Sequence, residues 1–143
     1  MSTAKFVMLS MSFVVTAVCV TQSSPALANR RLGSPAMTAG TCSDGSSTYT
    51  LKSMFDDEPF PQTVGAEFQV DSGVIGQTWQ VTLTDNDAAF FDAPVDTVGP
   101  EGSLNVTHPD QGSFSIAHTI VARAVNLADG TVCTGQVTDL PLH

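Results

Sequence analysis

IVARAVNLADGTVCTG, Ile120 to Gly135, is the stretch that decides the fold. Ile120, Ala122 and Ala124 share one parity, and Val121, Arg123 and Val125 share the other. A period of two belongs to an extended strand, whose successive side chains point to opposite faces. Asp129-Gly130 supplies a hairpin turn, because Gly, and to a lesser degree Asp, tolerates the positive φ that tight hairpins require. A second arm from Thr131 to Val137 carries Cys133. The stretch is therefore predicted to be the last β-hairpin of an all-β domain.

Outward from it the same period recurs. In STYTLKSMF, from Ser47 to Phe55, Tyr49, Leu51 and Phe55 oppose Thr48, Thr50 and Lys52. In VGAEFQVD, Val64, Ala66, Phe68 and Val70 oppose Gly65, Glu67, Gln69 and Asp71. GQTWQVTLT, from Gly76 to Thr84, sets Trp79, Val81 and Leu83 against Thr78, Gln80, Thr82 and Thr84. A Trp in such a phase is expected to be the largest piece of a core. Ser103 to His108 alternates around Leu104 and Val106. Ser113 to Asn126 alternates for so long that a bend or bulge is expected. Ala88 to Phe91 reads as a short apolar run closed by Asp92 and Pro94. Turn signals fall at Asp56 to Pro61, Ser72-Gly73, Asp85 to Asp87, Gly99-Pro100 and Pro109 to Gly112.

About seven strands, turn signals roughly every 8–12 residues and no useful amphipathic helix predict an immunoglobulin-like sandwich of antiparallel strands. A small β-barrel is the competing architecture. The expected core contains Phe68, Trp79, Val81, Leu83, Ile120, Ala122 and Ala124. The small Ala122 and Ala124 read as space for a large neighbour, Trp79.

The start of the chain has the form of an export signal over residues 1–28. Lys5 gives a positive start, Phe6 to Val20 is mostly apolar, and Ala26-Leu27-Ala28 is a small-x-small cleavage site before Asn29. The apolar run is shorter than the ~20 residues a membrane span needs. A lipoprotein reading at Cys19 meets the bulky Val18 where such sites need a small residue. Residues 29–40, NRRLGSPAMTAG, have no periodicity and are expected to be a flexible leader. The domain is expected over 41–143.

After export the chain would keep four basic residues, Arg30, Arg31, Lys52 and Arg123, against 14 acidic ones, a formal charge of −10. That balance argues against nucleic acids and anionic membranes as partners, since both need basic surface. Cys19 would leave with the signal. Cys42 and Cys133 remain and are expected to form one disulfide in an oxidising compartment. The expected destination is extracellular or in the cell envelope, as a monomer or weak oligomer.

The final hairpin also carries a resemblance. Ala122-Arg123-Ala124-Val125-Asn126, followed by Gly130, resembles the penultimate strand and turn of fibronectin type III domains. The resemblance implies that Ile120, Ala122 and Ala124 face inward while Val121, Arg123 and Val125 face out. Ile120 stands where that family usually has Tyr, and those domains usually lack a disulfide like Cys42–Cys133. Gly76 to Leu83 and Ala122 to Cys133 together resemble small exported bacterial proteins of one immunoglobulin-like domain. That likeness implies a fold and a compartment but no activity.

Catalytic patterns are missing. A nucleophile–base system needs Ser, Thr or Cys near an oriented His. His108 precedes Pro109, His143 ends the chain, and His118 is in phase with Phe114, Ile116 and Ile120, as a core or edge residue would be. There is no G-x-S-x-G, His-x-His, His-x3-His or Cys-x2-Cys. Calcium is better motivated, because it takes carboxylate and carbonyl oxygens on loops. Asp85, Asn86 and Asp87 offer such oxygens, and TDNDAAFF resembles the end-of-strand motifs of cadherin-like and Calx-β-like sandwiches. Asp56, Asp57 and Glu58 form a second acidic loop. Both also read as solvated turns. Asn105-Val106-Thr107 is a glycosylation sequon, meaningful only in a eukaryotic secretory pathway. Thr78, Gln80, Thr82 and Thr84 form a polar face open to polysaccharide or protein.

The expected function is a secreted, non-catalytic module that binds an extracellular protein or cell-wall component through its end loops. No cofactor is expected apart from possible calcium. The alternatives are a calcium-binding structural or adhesive domain, and a small hydrolase or hydrolase inhibitor using His118.

Overall fold

The computed structural model of the chain describes residues 36–56, 63–110 and 115–139. The expected signal over 1–28, residues 29–35 of the expected leader, Asp57, Glu58 and Phe114 lie outside the described residues. Among the described residues there are eight strands: β1 (Ala36–Thr41), β2 (Thr48–Asp56), β3 (Thr63–Asp71), β4 (Thr78–Asp85), β5 (Ala88–Asp96), β6 (Ser103–Asp110), β7 (His118–Asn126) and β8 (Val132–Asp139). They form two four-stranded sheets, β1-β2-β3-β6 and β5-β4-β7-β8, and every neighbouring pair is antiparallel.

Both sheets contribute inward side chains to one core. Leu51, Val64, Phe68, Val70 and Leu104 come from the first; Trp79, Val81, Leu83, Ile120, Ala122, Ala124 and Cys133 come from the second. The alternation read from the sequence is carried strictly in β4, where the odd positions Trp79 to Asp85 are buried and the even ones half-exposed. In β7, Ile120, Ala122 and Ala124 are buried, while Val121 and Val125 are half-buried and Arg123 is exposed.

Three elements differ from expectation. The eighth strand is β1. Residues 36–40 were expected in a flexible leader, yet Ala36 to Thr41 pairs with Ser53 to Thr48 and buries Ala36. Its small residues give little local signal, and the free edge of β2 supplies the ladder that local propensity does not. β5 runs on through Asp92 and Pro94 to Asp96. It is an edge strand, where a Pro can turn its missing N–H away from the ladder. The long alternation into Asn126 is cut at His118, with Ser115 to Ala117 outside the strand and Ile116 half-exposed. The irregularity of register lies instead between Leu83 and Thr84, where β4 meets β5.

The last hairpin also borders an aromatic of the other sheet. Register sets Trp79 opposite Asn126, four residues from Ala122, which faces Leu83 and Gly135. The aromatic over Gly135 is Tyr49 of β2. A Cβ built on Gly135 would lie 2.7 Å from its ring, and one on Gly40 2.8 Å from its hydroxyl.

Strand directions sort the connections into two ends. One end holds the β1–β2, β3–β4, β5–β6 and β7–β8 connections, here the loop end. The opposite end holds the β4–β5 turn, the end of β6, the start of β7 and the end of β8. The Cys42–Cys133 disulfide ties the sheets at the loop end, joining positions 91 residues apart in sequence. No helix among the described residues is long and apolar enough to cross a membrane.

Candidate functional site

The two ends carry different chemistry. At the end opposite the loops, inward strand positions that elsewhere hold apolar residues are polar. Asp85 continues the buried parity of Trp79, Val81 and Leu83; His118 continues that of Ile120 and Ala122; Asp139 continues that of Cys133 and Val137. His118 is fully buried and Asp85 is 9% exposed. The His118 Nδ1 lies 2.5 Å from the Asp85 Oδ2. A nitrogen–oxygen contact this short requires a proton between them.

The other sheet reaches the same place. Asp110, at the end of β6 and half-buried, brings a carboxylate oxygen close to this pair: one donor atom each from Asp85, Asp110 and His118 lies within 4.8 Å of the others. Asp139 sits opposite His118 in the β7–β8 register and accepts a hydrogen bond from the buried Ser53 hydroxyl of β2. Polar contacts thus join both sheets here, as the disulfide does at the loop end. The Asp85 Oδ1 is buried and has no hydrogen-bond partner. Such an atom costs about 1–3 kcal/mol, and more when it belongs to a charged group.

The Asp85-Asn86-Asp87 triplet spans the end of β4 and the turn that follows it. Asn86 and Asp87 have φ of 46° and 69° and form the two-residue β4–β5 turn. Left-handed backbone at both central positions is the preferred hairpin geometry. The Asn86 amide nitrogen donates to the Ala117 carbonyl at 3.0 Å, and its oxygen accepts from the Thr119 N–H at 3.1 Å. Asp87 is exposed. Asp85 and Asn86 therefore face different partners, and Asp85 lies with Asp110 and His118. The sequence places Asp110 in the Pro109 to Gly112 turn, and Asp139 lies beyond the expected last arm, Thr131 to Val137. The available signal was parity: Asp85, His118 and Asp139 each hold the terminal inward position of a strand.

The Thr-rich outer face of β4 is occupied from β5. Thr78 donates to Asp96 at 2.6 Å and Gln80 to Asp92 at 2.6 Å, with Thr82 donating to Asp92 at 3.3 Å. Asn105 of the sequon donates to Glu67 at 3.1 Å and lies mid-strand on the exposed face of β6.

The loop end is apolar at its surface. Val74 and Ile75 in the β3–β4 loop, Val98 in the β5–β6 loop and Leu127 in the β7–β8 loop are 50%, 64%, 63% and 60% exposed. These loops are bound to one another. The Thr97 hydroxyl donates to the Val74 carbonyl at 2.6 Å, the Gly76 N–H donates to the Thr97 carbonyl, and the Leu127 N–H donates to the Thr78 carbonyl. Gly102, at φ +58°, lies so close to Val74 that a Cβ there would come within 2.3 Å of its backbone nitrogen. Asp44, Glu101 and Asp129 are exposed on the loops of the same end.

Comparison of the chain with protein-family models, with curated proteins and with solved structures gives no match.

Proposed function

We propose that the protein is a secreted, non-catalytic binding module of immunoglobulin-like type, and that its loop end takes an extracellular or cell-envelope protein. The observation that carries this reading is the set of four exposed aliphatics, Val74, Ile75, Val98 and Leu127, on three loops fastened together at one end. Exposed aliphatic side chains gathered at one end of an acidic chain cost solubility, and large apolar patches mark interaction sites. The hydrogen bonds between the loops preorganise that surface, which lowers the ordering cost of binding.

Strand order supports the fold assignment. With β3, β4, β6 and β7 taken as strands B, C, E and F, B lies beside E and C beside F, as in immunoglobulin sandwiches. β8 then stands as G, β5 as C′ and β2 as A, with β1 as an added edge strand. The apolar residues fall on the B–C, C′–E and F–G connections, the end at which variable domains place their binding loops. The disulfide supports an oxidising destination. Asp44, Glu101 and Asp129 add exposed acidic groups to the same end, so the partner surface is apolar with basic groups beside it.

The test compares the protein with its V74S/I75S/V98S variant, both immobilised and exposed to cell-envelope and culture-supernatant fractions. A protein retained by the parent, lost by the variant and retained less as salt rises is the expected result. Equal retention by both, or retention by neither, overturns the reading.

A further inference from the structure

We propose that Asp85, Asp110 and His118 form a binding site for one divalent transition-metal ion of the zinc type, at the end of the sandwich opposite the loops. Three observations converge. One donor atom from each residue lies within 4.8 Å of the others, with Asp85 and His118 coming from one sheet and Asp110 from the other. His118 is fully buried and Asp85 is 9% exposed, so both are held by packing, while half-buried Asp110 leaves an approach from solvent. The Asp85 Oδ1 is buried with no hydrogen-bond partner, an acceptor left over in a carboxylate whose other oxygen is already engaged.

The donor set selects the ion. Imidazole with two carboxylates suits zinc and its neighbours, whereas calcium and magnesium prefer oxygen alone. Three protein ligands leave a fourth position for water. Donors around zinc lie roughly 3.3 Å apart, given bonds of about 2.0–2.1 Å in a tetrahedron. Side-chain torsions then need to close the widest donor separation by up to about 1.5 Å and open the Nδ1–Oδ2 contact by about 0.8 Å. The ion replaces the proton shared by His118 and Asp85, and that proton passes to solvent. Asp139, opposite His118, adds a nearby carboxylate whose field favours the cation.

The test is calorimetric titration of the full chain with zinc chloride, together with thermal melts in zinc and in calcium. The expected result is one ion per chain, a raised Tm through binding to the folded state alone, and no comparable shift with calcium. Asp110→Asn, at a half-buried position, is expected to fold and to weaken zinc binding at least tenfold; Asp85→Asn is expected to act likewise. Asp87→Asn, on the adjacent turn, is expected to bind as the parent does. Cobalt in place of zinc gives a second readout, a visible absorption band that Asp110→Asn abolishes. No zinc-dependent shift, or a shift that survives both Asp110→Asn and Asp85→Asn, overturns the proposal. So does a calcium effect removed by Asp87→Asn, which assigns the cation to the turn.

Discussion

Asp44 carries a clearly perturbed carboxylate. In the β1–β2 turn it accepts the Ser47 hydroxyl at 2.6 Å, the Ser46 N–H at 3.0 Å and the Ser47 N–H at 2.9 Å. These bonds favour the ionised form, the Ser47 hydroxyl most, and lower its pKa from 3.8 to about 2. A carboxylate whose pKa is lower folded than unfolded adds stability above the unfolded value. That contribution is lost as pH falls from 3.8 through about 2. Carboxyl NMR titration should therefore place the Asp44 midpoint near 2, and Asp44→Asn should flatten the acid limb of stability in that window. A midpoint near 3.8 contradicts the turn geometry. The turn residues were legible one by one, since Asp and Ser hydrogen-bond locally. The partners of Asp85 were not, because Asp110 and His118 lie 25 and 33 positions away in the chain.

At the scale of elements, the glycine that faces Ala122 across β7 and β8, Gly135, is explained by an aromatic in β2. Tyr49 lies across Gly135 and Gly40, with its ring 6.2 Å from that of Phe68. A methyl group on Gly135 would meet a Tyr49 ring carbon at 2.7 Å and the Thr38 methyl at 3.3 Å. Gly135→Ala is expected to cost about 1–3 kcal/mol as overpacking and to lower Tm by several degrees. An unchanged melt shows that the ring can move aside. Edge strands were the least legible elements. β1 is mostly small residues and β5 contains Pro94, so both lack strong local signals and depend on an already formed neighbour. β5 and β6 are further joined across the sheets by His108, whose ring lies 5.4 Å from that of Phe91 and 6.0 Å from that of Phe90.

Across the whole molecule, the two sheets are fastened at both ends by different means. The disulfide closes the loop end and the Ser53–Asp139 and Asp85–Asp110–His118 contacts close the other. In chain-entropy terms, a cross-link spanning 91 positions removes on the order of 4–5 kcal/mol of freedom from the unfolded chain. Replacing both Cys42 and Cys133 with Ser is expected to lower unfolding stability by about 2–5 kcal/mol, read from the denaturant midpoint. Reduction of the parent should give the same shift. Coincident midpoints in reduced and oxidised protein contradict this role for the disulfide.

The sequence by itself determined the strand period, the turns, the inward set around Trp79 and Ile120 and the pairing of the two cysteines left after the expected export signal. These are local or combinatorial properties: a side chain's face follows from parity, and two cysteines allow one bond. Tertiary structure alone decided that Tyr49 lies over Gly40 and Gly135, and that Asp85 turns to His118 and Asp110. It also gathered Val74, Ile75, Val98 and Leu127 at one end. Each of these depends on strand order and register, which are set by packing two sheets on one core and leave no trace in residue spacing along the chain.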